Sequence, residues 1–291
     1  MSSIRENIKQ YVKEHADQWI AMREHLHRNP ELSFEEEKTQ AFICAQLEGL
    51  DISYEKGPED LRYVLAIINP DKDRTVVLRA DIDALPIQEE NTCDYRSQNE
   101  GRMHACGHDV HTSCLLGAVE ILSQYKNQLD LRIVALFQPA EEKLPGGASL
   151  LLKQNIPQKF NPEWIVGQHV HPPLPAGQLG FKSGPYMASA DEIRIRVEGT
   201  GGHAAAPHET VDSIYLSSLM IQNLQGVISR YRNPITPSVL TFGKINSEGG
   251  ATNVIPPAVS IEGTFRSMDD DFRDKALQLI EQVAKQSVEP Y

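Results

Sequence analysis

Hydrophobic and polar positions alternate with a helical period over the first part of the chain. Residues 3–27 mix apolar and charged side chains in this way, which predicts a long amphipathic helix ending before Pro30. Ser33 and Glu36 have the spacing of a capping box, so a second helix is predicted to open there and to reach about Leu47. The chain is therefore expected to begin with two helices.

Continuous apolar runs further along the chain predict strands, and three of them finish in ionisable residues. These runs are TVVLRADIDALP, LRIVALFQPAEE and PEWIVGQHVHPPLPAG, of which the first two are typical of buried strands. The first ends in two aspartates, the second is followed by Glu141 and Glu142, and the third by His169 and His171. Ligands of open α/β sheets collect beyond the carboxyl ends of the strands. We therefore expect an α/β fold in which these side chains converge on one crevice.

The pattern changes near residue 187. DEIRIRVEG alternates apolar and charged residues like a strand with one wet face, and the amphipathic helix that follows has Asp212 as its candidate N-cap. Two further strands, SVLTFGKIN and AVSIEGTFR, precede a closing amphipathic helix, DDFRDKALQLIEQVAKQ. This β-α-β-β-α order is one strand short of a ferredoxin-like unit. We predict two domains, residues 1–186 and residues 187–291.

Charge and composition argue against several classes of partner. The 291 residues carry a net charge of -12 and contain no run of lysine or arginine, so neither nucleic acid nor an anionic membrane is an expected partner. The N-terminal segment lacks the apolar core of a signal peptide, and no stretch approaches a membrane span. The four cysteines form no CxxC pair, which is typical of free thiols in a reducing compartment. We therefore expect a globular, cytoplasmic protein.

The segment MHACGHDVHT, residues 103–112, concentrates groups that bind metals. A thiolate at Cys106 and an imidazole at His108 suit zinc, manganese, cobalt or nickel, and the glycine between them permits a tight turn. Taken alone, such a pair is more often a packed thiol and a surface histidine. The glutamates and histidines at the strand ends supply the types of ligand that are missing, and a metal-dependent hydrolase also needs a base for water. The combination favours such a hydrolase, with one glutamate as ligand and its neighbour as base.

The second predicted domain contains polar groups suited to substrate recognition. His203 follows two glycines in GTGGHAAAPH, and such glycines permit a close approach of the backbone to a ligand. Asn253 lies in a predicted loop and Arg266 at the end of a strand, where an amide and a guanidinium could clamp a carboxylate. Singly, each is more often an ordinary surface residue. Together they indicate substrate recognition.

Seven motifs, taken in order, carry a resemblance to a known family. They are RADIDALP, MHACGHDVHT, QPAEE, QHVHPPLPAG, GTGGHAAAPH, TNVIP and GTFR. In this order they resemble the motifs of the metal-dependent amidohydrolases that include bacterial hippurate hydrolases, N-acyl-L-amino-acid aminoacylases and plant auxin-conjugate hydrolases. The resemblance implies a di-metal, aminopeptidase-like catalytic domain of α/β type with an inserted ferredoxin-like (α+β) lid domain that also mediates dimerisation.

The same resemblance implies roles for individual residues of the catalytic domain. It implies that Cys106 bridges two divalent metal ions (Zn, Mn, Co or Ni) and that His108, Glu142 and His169 are further ligands. Glu141 resembles the general base of the family. The implied reaction is hydrolysis of the amide bond of an N-acyl amino acid to a carboxylic acid and a free amino acid.

Further roles follow from the resemblance for the remaining motif residues. His203 resembles the lid histidine that stabilises the oxyanion, often across a homodimer. Asn253 and Arg266 resemble the groups that hold the carboxylate of the substrate. Asp83 resembles a residue that supports the metal ligands from behind, a role consistent with orienting them.

In one respect the chain departs from the family pattern. Members of the family continue through a last lid strand and return to the catalytic domain, where a final histidine completes the metal site. That segment is missing from this sequence. We therefore expect this polypeptide to bind metal incompletely or to catalyse poorly.

Three other interpretations stay open on the sequence alone. Cys106 paired with His108 or His111 would make a cysteine hydrolase. A related metallo-dipeptidase or aminopeptidase would share the metal core and would require a free amine on its substrate. A catalytically incompetent fragment would serve only as a binding or dimerisation module.

Overall fold

The computed structural model describes residues 2–291 and divides after Ala176 into two compact units. The helices of the first unit are α1 (Ser2–Arg28), α2 (Glu37–Gly49), α3 (His108–Gln124) and α4 (Gly147–Lys153). Its strands are β1 (Tyr54–Lys56), β2 (Val64–Ile68), β3 (Thr75–Asp81), β4 (Arg132–Gln138) and β5 (Pro162–Gly167). The two predicted N-terminal helices and the three predicted strands are thereby confirmed as elements.

The five strands of the first unit form one mixed sheet in the order β1-β2-β4-β3-β5. Strand β3 runs parallel to both β4 and β5, while β1 and β2 join antiparallel. Because β3, β4 and β5 point the same way, their carboxyl ends lie at one edge of the sheet. The predicted convergence of the three strand ends is confirmed.

Both faces of the sheet are covered by apolar side chains. Along β4, Ile133, Ala135 and Phe137 pack into a core with α1, α2 and α3, while Val134 and Leu136 face a second core that includes Leu151 of α4. The alternation follows from the two-residue period of a strand. It explains why this strand has a continuous apolar sequence.

Strand β5 differs from its neighbours because it lies at the edge of the sheet. The side chains of Trp164, Ile165 and Val166 are exposed along it. Within residues 2–291, no helix combines the length and apolar character needed to cross a membrane.

The start of α2 is stabilised in a different way from the predicted capping box. The side chain of the N-cap residue, Glu36, makes no capping hydrogen bond. Instead, the Glu31 carboxylate accepts from the backbone N–H groups of Lys38 and Thr39 in the first turn, over 3.1 and 2.7 Å. The Ser33 hydroxyl donates to the Asp83 carboxylate over 2.6 Å, and Glu36 accepts from the backbone N–H groups of Phe34 and Ala140 over 2.9 and 2.8 Å. The capping box is therefore wrong, because both side chains bind tertiary partners.

The second unit combines a three-stranded antiparallel sheet with two helices. Its elements are β6 (Asp191–Glu198), β7 (Gly202–His203), α5 (Ser213–Gly226), a π-helical turn (Val227–Tyr231), β8 (Ser238–Ser247), β9 (Val254–Ile255), β10 (Ala258–Ser267) and α6 (Asp270–Val288). The sheet order is β6-β10-β8, and β7 pairs with β9 in a separate ribbon. Asp212 caps α5 by accepting from the backbone N–H groups of Ile214 and Tyr215, as its position predicted.

One face of the second sheet is apolar and packs against both helices. Ile193 and Val197 of β6 are buried together with Leu216 of α5 and Ala276 of α6. The charged residues between the β6 positions point the other way, as the alternating sequence predicted. The assignment of residues 187–291 to a lid remains a prediction.

Candidate metal centre

Two strand ends and one helix start bring the predicted ligands of the first unit together. Glu142 follows β4, His169 follows β5, and His108 is the first residue of α3, directly after Gly107. Among the residues that the structure describes, Cys106, His108 and His169 each offer a ligand atom within 4.8 Å of the others. His108, Glu141 and Glu142 form a second such group. The two groups share His108, so they form one continuous cluster.

His108 is completely buried and its ring is fixed from behind by Asp83. Its Nδ1 lies 2.8 Å from the backbone oxygen of Asp83, so the Nδ1–H donates there and Nε2 carries the free lone pair. The Asp83 carboxylate accepts from the Ser33 hydroxyl and from the backbone N–H of Glu142. Asp83 therefore holds both a histidine and a glutamate of the cluster, which is what a residue behind metal ligands does.

Two atoms of the cluster are buried without any hydrogen-bond partner. They are Nε2 of His108 and Oε1 of Glu142, and they lie 3.7 Å apart. Two ligand atoms at about 2.1 Å from one ion stand about 3.4 Å apart in tetrahedral geometry. Buried polar atoms normally have partners. Because these two atoms face each other at this spacing, the residues present fit a divalent cation.

Cys106 and His169 lie on the open side of the cluster. The Cys106 Sγ is 3.4 Å from Nε2 of His169, whose Nδ1–H donates to the backbone oxygen of Val170. Burial, followed by the hydrogen bond and charge of Glu142, raises the pKa of Cys106 to about 12. The thiol is therefore protonated in these carboxylate surroundings, and a cation beside it would favour the thiolate.

The first glutamate of the pair, Glu141, is more accessible than Glu142. The Glu141 side chain is 42% exposed against 20% for Glu142, and its Oε2 lies 3.9 Å from Nε2 of His108. Burial, and then the charge of Glu142, raises the pKa of the Glu141 carboxyl. A carboxylate that is accessible and holds a proton more readily than usual suits a general base.

Asp81, His108 and His111 form a third group with metal-binding spacing, but the atoms that Asp81 and His111 offer are already in use. His111 Nδ1 lies 2.5 Å from Oδ1 of Asp81, and Arg79 donates to the other Asp81 oxygen over 2.7 Å. The remaining His111 nitrogen accepts from the backbone N–H of Val170 over 2.9 Å. In this group only His108 has a free ligand atom.

Asp109, another residue of the motif, serves to fix the helix rather than to extend the cluster. One of its carboxylate oxygens accepts from Arg23 over 2.7 Å and from His27 over 2.9 Å, and both partners belong to α1. The contact ties the first turn of α3 to α1. His104 is buried and has no hydrogen-bond partner.

The predicted substrate-binding residues of the second unit are exposed and lie in two places. His203 is paired with Val254 in the β7–β9 ribbon, and the Asn253 carbonyl accepts from the backbone N–H of Ala204, so His203 and Asn253 are neighbours. Arg266 lies near the opposite end of β10, eight residues beyond its start at Ala258, a distance of about 26 Å along the strand. A joint carboxylate clamp of Asn253 and Arg266 is therefore not formed within one chain.

Three buried residues have supporting roles that were not predicted from the sequence. Asp81 and His111 carried a signal, since His111 is three positions after His108 on one face of α3 and Asp81 ends a strand. Glu36 carried none, because its contact with Ala140 joins positions 104 residues apart. Only the fold reveals that pairing.

Comparison with known proteins identifies the family. The sequence profile of Peptidase family M20/M25/M40 matches residues 77–290. The chain is 41% identical over 281 residues to an N-acyl-L-amino acid amidohydrolase of Geobacillus stearothermophilus, covering 97% of this chain and 75% of the relative. It is 43% identical over 274 residues to an N-acetyl-L-cysteine deacetylase of Bacillus subtilis, covering 92% of this chain and 64% of the relative.

A solved structure agrees with these sequence relatives. The chain is similar to the Bacillus subtilis YXEP protein, a dinuclear metal-binding peptidase of the M20 family, with a TM-score of 0.77 and 33% identity. The match covers 96% of this chain and 72% of that protein. The resemblance predicted from seven motifs is confirmed: this chain belongs to Peptidase family M20/M25/M40, as a hydrolase of the amidohydrolase type.

Proposed function

We propose that this protein hydrolyses the amide bond of N-acyl amino acids and releases a carboxylic acid and a free amino acid. The observation that carries the proposal is the pair of buried atoms without partners, Nε2 of His108 and Oε1 of Glu142, next to the accessible carboxylate of Glu141. Metal-assisted hydrolysis requires at least a cation site and a base next to it. The amidohydrolase and deacetylase relatives supply the substrate class.

In this proposal, Cys106, His108, Glu142 and His169 are the residues that would hold two divalent ions. Ions of this kind, Zn, Mn, Co or Ni, supply Lewis-acid polarisation of a carbonyl and lower the pKa of water. The donor set of one sulfur, two imidazoles and a carboxylate suits these borderline metals.

Glu141 is the base that moves the proton. Its raised pKa and its exposure allow it to accept a proton from water and to deliver that proton to the nitrogen of the departing amino acid. Glu142 differs because one of its oxygens is buried and its backbone N–H is bound to Asp83. In this proposal Glu142 is therefore the ligand and Glu141 is the base.

Residues of the second unit complete the proposal. His203 stabilises the negative oxygen of the tetrahedral intermediate, and Asn253 binds the carboxylate of the substrate. The ribbon contact that makes these two residues neighbours supports a common task. Arg266 remains a proposed carboxylate ligand, although a single chain does not bring it near Asn253.

Assembly and compartment belong to the proposal as well. We propose a homodimer formed through the second unit, supported by the edge strand β8, where Val239 and Ile245 are exposed. Cytoplasmic location is supported by Cys44, Cys93, Cys106 and Cys114, which are all free.

The rival interpretations predict different substrates and inhibitors. A metallo-dipeptidase or aminopeptidase requires a free substrate amine. A cysteine hydrolase requires a thiolate of low pKa, whereas the pKa of Cys106 is raised to about 12. A binding or dimerisation module would have neither activity.

One panel of substrates separates these functions. N-acetyl, N-benzoyl and indole-acyl amino acids are compared with dipeptides of the same residues, each after loading the protein with Zn, Mn, Co or Ni. We expect release of the free amino acid from the N-acyl substrates, and loss of that release with a chelator. Cleavage of the dipeptides alone would contradict the proposal, as would chelator-resistant cleavage that a thiol reagent abolishes, or a dimer inactive on every substrate.

A further inference from the structure

Val170 joins three parts of the metal cluster although none of its atoms is a ligand. Its backbone N–H donates to Nε2 of His111, and its backbone oxygen accepts from Nδ1–H of His169. Its side chain lies against Gly107, where an added Cβ would stand 2.4 Å from Val170 Cγ2. The Val170 backbone therefore contacts both histidine rings, one through its N–H and the other through its carbonyl oxygen.

His111 has a defined protonation pattern in this arrangement. Its Nδ1 is 2.5 Å from an Asp81 carboxylate oxygen, which can only accept, so Nδ1 carries the proton. Its Nε2 faces the N–H donor of Val170 at 2.9 Å and must offer a lone pair. Because a protonated Nε2 would place two donors face to face, only the neutral Nδ1–H form satisfies both contacts.

Asp81 is itself held in place, so the contacts form a continuous series. Arg79 donates to its second oxygen over 2.7 Å and to the Gln138 side chain over 2.9 Å. The Thr112 hydroxyl donates to the Asp81 backbone oxygen over 3.0 Å. Asp81 and His111 are 1% and 0% exposed. Buried networks whose members are all satisfied are rigid, and this one ends at the exposed His169.

We propose that His111 is a positioning residue that orients His169 through the Val170 peptide. The proposal rests on the proposed function, in which His169 binds a metal ion. His169 projects from the loop after an exposed edge strand, and its one other hydrogen-bond partner among the described residues is the Cys106 sulfur at 3.4 Å. The His111 ring also lies edge-on to the His169 ring, with 4.6 Å between their centroids. The hydrogen bond to Val170 leaves its Nε2 lone pair directed at the cluster, so fixing Val170 fixes the ligand.

Zinc affinity tests the proposal with three variants. His111→Phe keeps an aromatic ring of similar size and removes both hydrogen bonds, so we expect its Kd for Zn²⁺ to rise 10- to 100-fold, as for other residues behind metal ligands. His111→Gln offers an acceptor near the position of Nε2 and should recover most of the affinity. Ser113→Ala is the matched control: it removes a buried side-chain hydrogen bond of the same helix, to the Asp109 backbone oxygen, and should leave Kd unchanged.

Nitrogen-15 NMR of the histidine rings in the metal-free protein provides a second readout, in the wild type and in His111→Phe. We expect His111 and His169 both as neutral Nδ1–H forms, and a mixture of His169 tautomers in folded His111→Phe. Wild-type Zn²⁺ affinity in that folded variant would overturn the proposal. So would a proton or a bound zinc on His111 Nε2 of the wild-type protein.

The experiments distinguish failure of the proposed function from failure of the proposed role of His111. If wild-type protein bound zinc but hydrolysed no N-acyl amino acid, the proposed function would fail while the affinity series and the ring spectra still decided the role of His111. If it bound no zinc, the His169 tautomer in metal-free His111→Phe would decide it.

Discussion

Nε2 of His108 and Oε1 of Glu142 face each other across 3.7 Å, both buried and both without a hydrogen-bond partner. An unsatisfied buried polar atom typically costs about 1–3 kcal/mol. A cation bound between these two atoms would satisfy both of them, because their separation matches that of two ligands around one ion. The surrounding residues hold this geometry, since Asp83 binds the His108 ring and the Glu142 backbone.

Glu141→Gln separates the base from the ligand. The amide cannot accept a proton from water, so kcat should fall by about 10²- to 10⁴-fold, the usual contribution of a general base. Its affinity for Zn²⁺ should remain near that of the wild-type protein. Glu142→Gln is the matched comparison, because it removes the buried oxygen that faces His108 and should weaken Zn²⁺ binding instead. Equal kcat in wild type and Glu141→Gln would remove Glu141 as the base.

Gly107→Ala should disturb the metal cluster by moving Val170. Gly107 has a φ of +82° and its Cβ would stand 2.4 Å from Val170 Cγ2, so the variant combines backbone strain with a clash. We expect a stability loss of about 2 to 4 kcal/mol by urea denaturation, together with weaker Zn²⁺ binding.

Gly101→Ala is the control for the backbone strain alone. Gly101 has a φ of +67° and open space around its Cβ position, so it should lose about 1–2 kcal/mol and bind Zn²⁺ normally. Adding Val170→Ala to Gly107→Ala removes the clashing methyl group and should restore part of the zinc affinity. If Gly101→Ala and Gly107→Ala weakened zinc binding equally, the clash with Val170 would have no role.

Glu36 should make the protein less stable as the pH rises. Burial raises the pKa of Glu36 from 4.5 to about 7. Hydrogen bonds from the backbone N–H groups of Phe34 and Ala140 favour the charged form and oppose this shift, but burial has the larger effect. Between pH 4.5 and about pH 7, Glu36 keeps a proton in the folded state that it has lost in the unfolded state. The free energy of unfolding therefore falls with rising pH in that window, and the contribution of Glu36 is complete below pH 4.5 and lost above about pH 7.

Glu36→Gln stays neutral at every pH and so should remove this dependence. Relative to wild type, the variant should gain about 2 to 3 kcal/mol between pH 5 and pH 8, measured by urea denaturation in the presence of a chelator. Glu37→Gln changes an exposed neighbour and serves as the control. Parallel pH curves for wild type and Glu36→Gln would show that Glu36 has no raised pKa.

Asn253→Ala tests recognition of the substrate carboxylate. Because its backbone contact places it beside His203, we expect KM for a free N-acetyl amino acid to rise about tenfold, the cost of one hydrogen bond to a charged group. KM for the methyl ester of the same substrate should change little. Arg266→Ala is measured beside it. An equal rise for Arg266→Ala that is absent for the methyl ester would mean that its guanidinium reaches the substrate carboxylate in an assembly of more than one chain. An equal rise for acid and ester would contradict a carboxylate contact for the residue tested.

The sequence was sufficient for the elements and for the convergence of the candidate ligands. Apolar runs ending in Glu142 and His169 predicted parallel strand ends at one edge, because strand period and sheet topology are local or near-local properties. The N-cap of α5 at Asp212 was predictable for the same reason. Neighbouring residues determine all of these features.

Contacts between positions that are far apart in the chain could not be predicted from the sequence. Ser33 and Glu36 have the spacing of a capping box, but stronger tertiary partners in Asp83 and Ala140 take both side chains. The position of Arg266 far along β10 from its start at Ala258 was likewise not apparent from the motifs that contain Asn253 and Arg266. The Asp81–His111–Val170 series joins three chain segments through one backbone N–H, which no side-chain pattern reports.

The account depends on a cation bound among Cys106, His108, Glu142 and His169. Crystals grown with Zn²⁺ and measured on both sides of the zinc absorption edge locate that ion directly. We expect an anomalous peak about 2.0–2.3 Å from Nε2 of His108, from the Glu142 carboxylate and from the Cys106 sulfur. Zinc absent from this cluster, with Nε2 of His108 and Oε1 of Glu142 bound instead to protein groups or to water, would contradict the account.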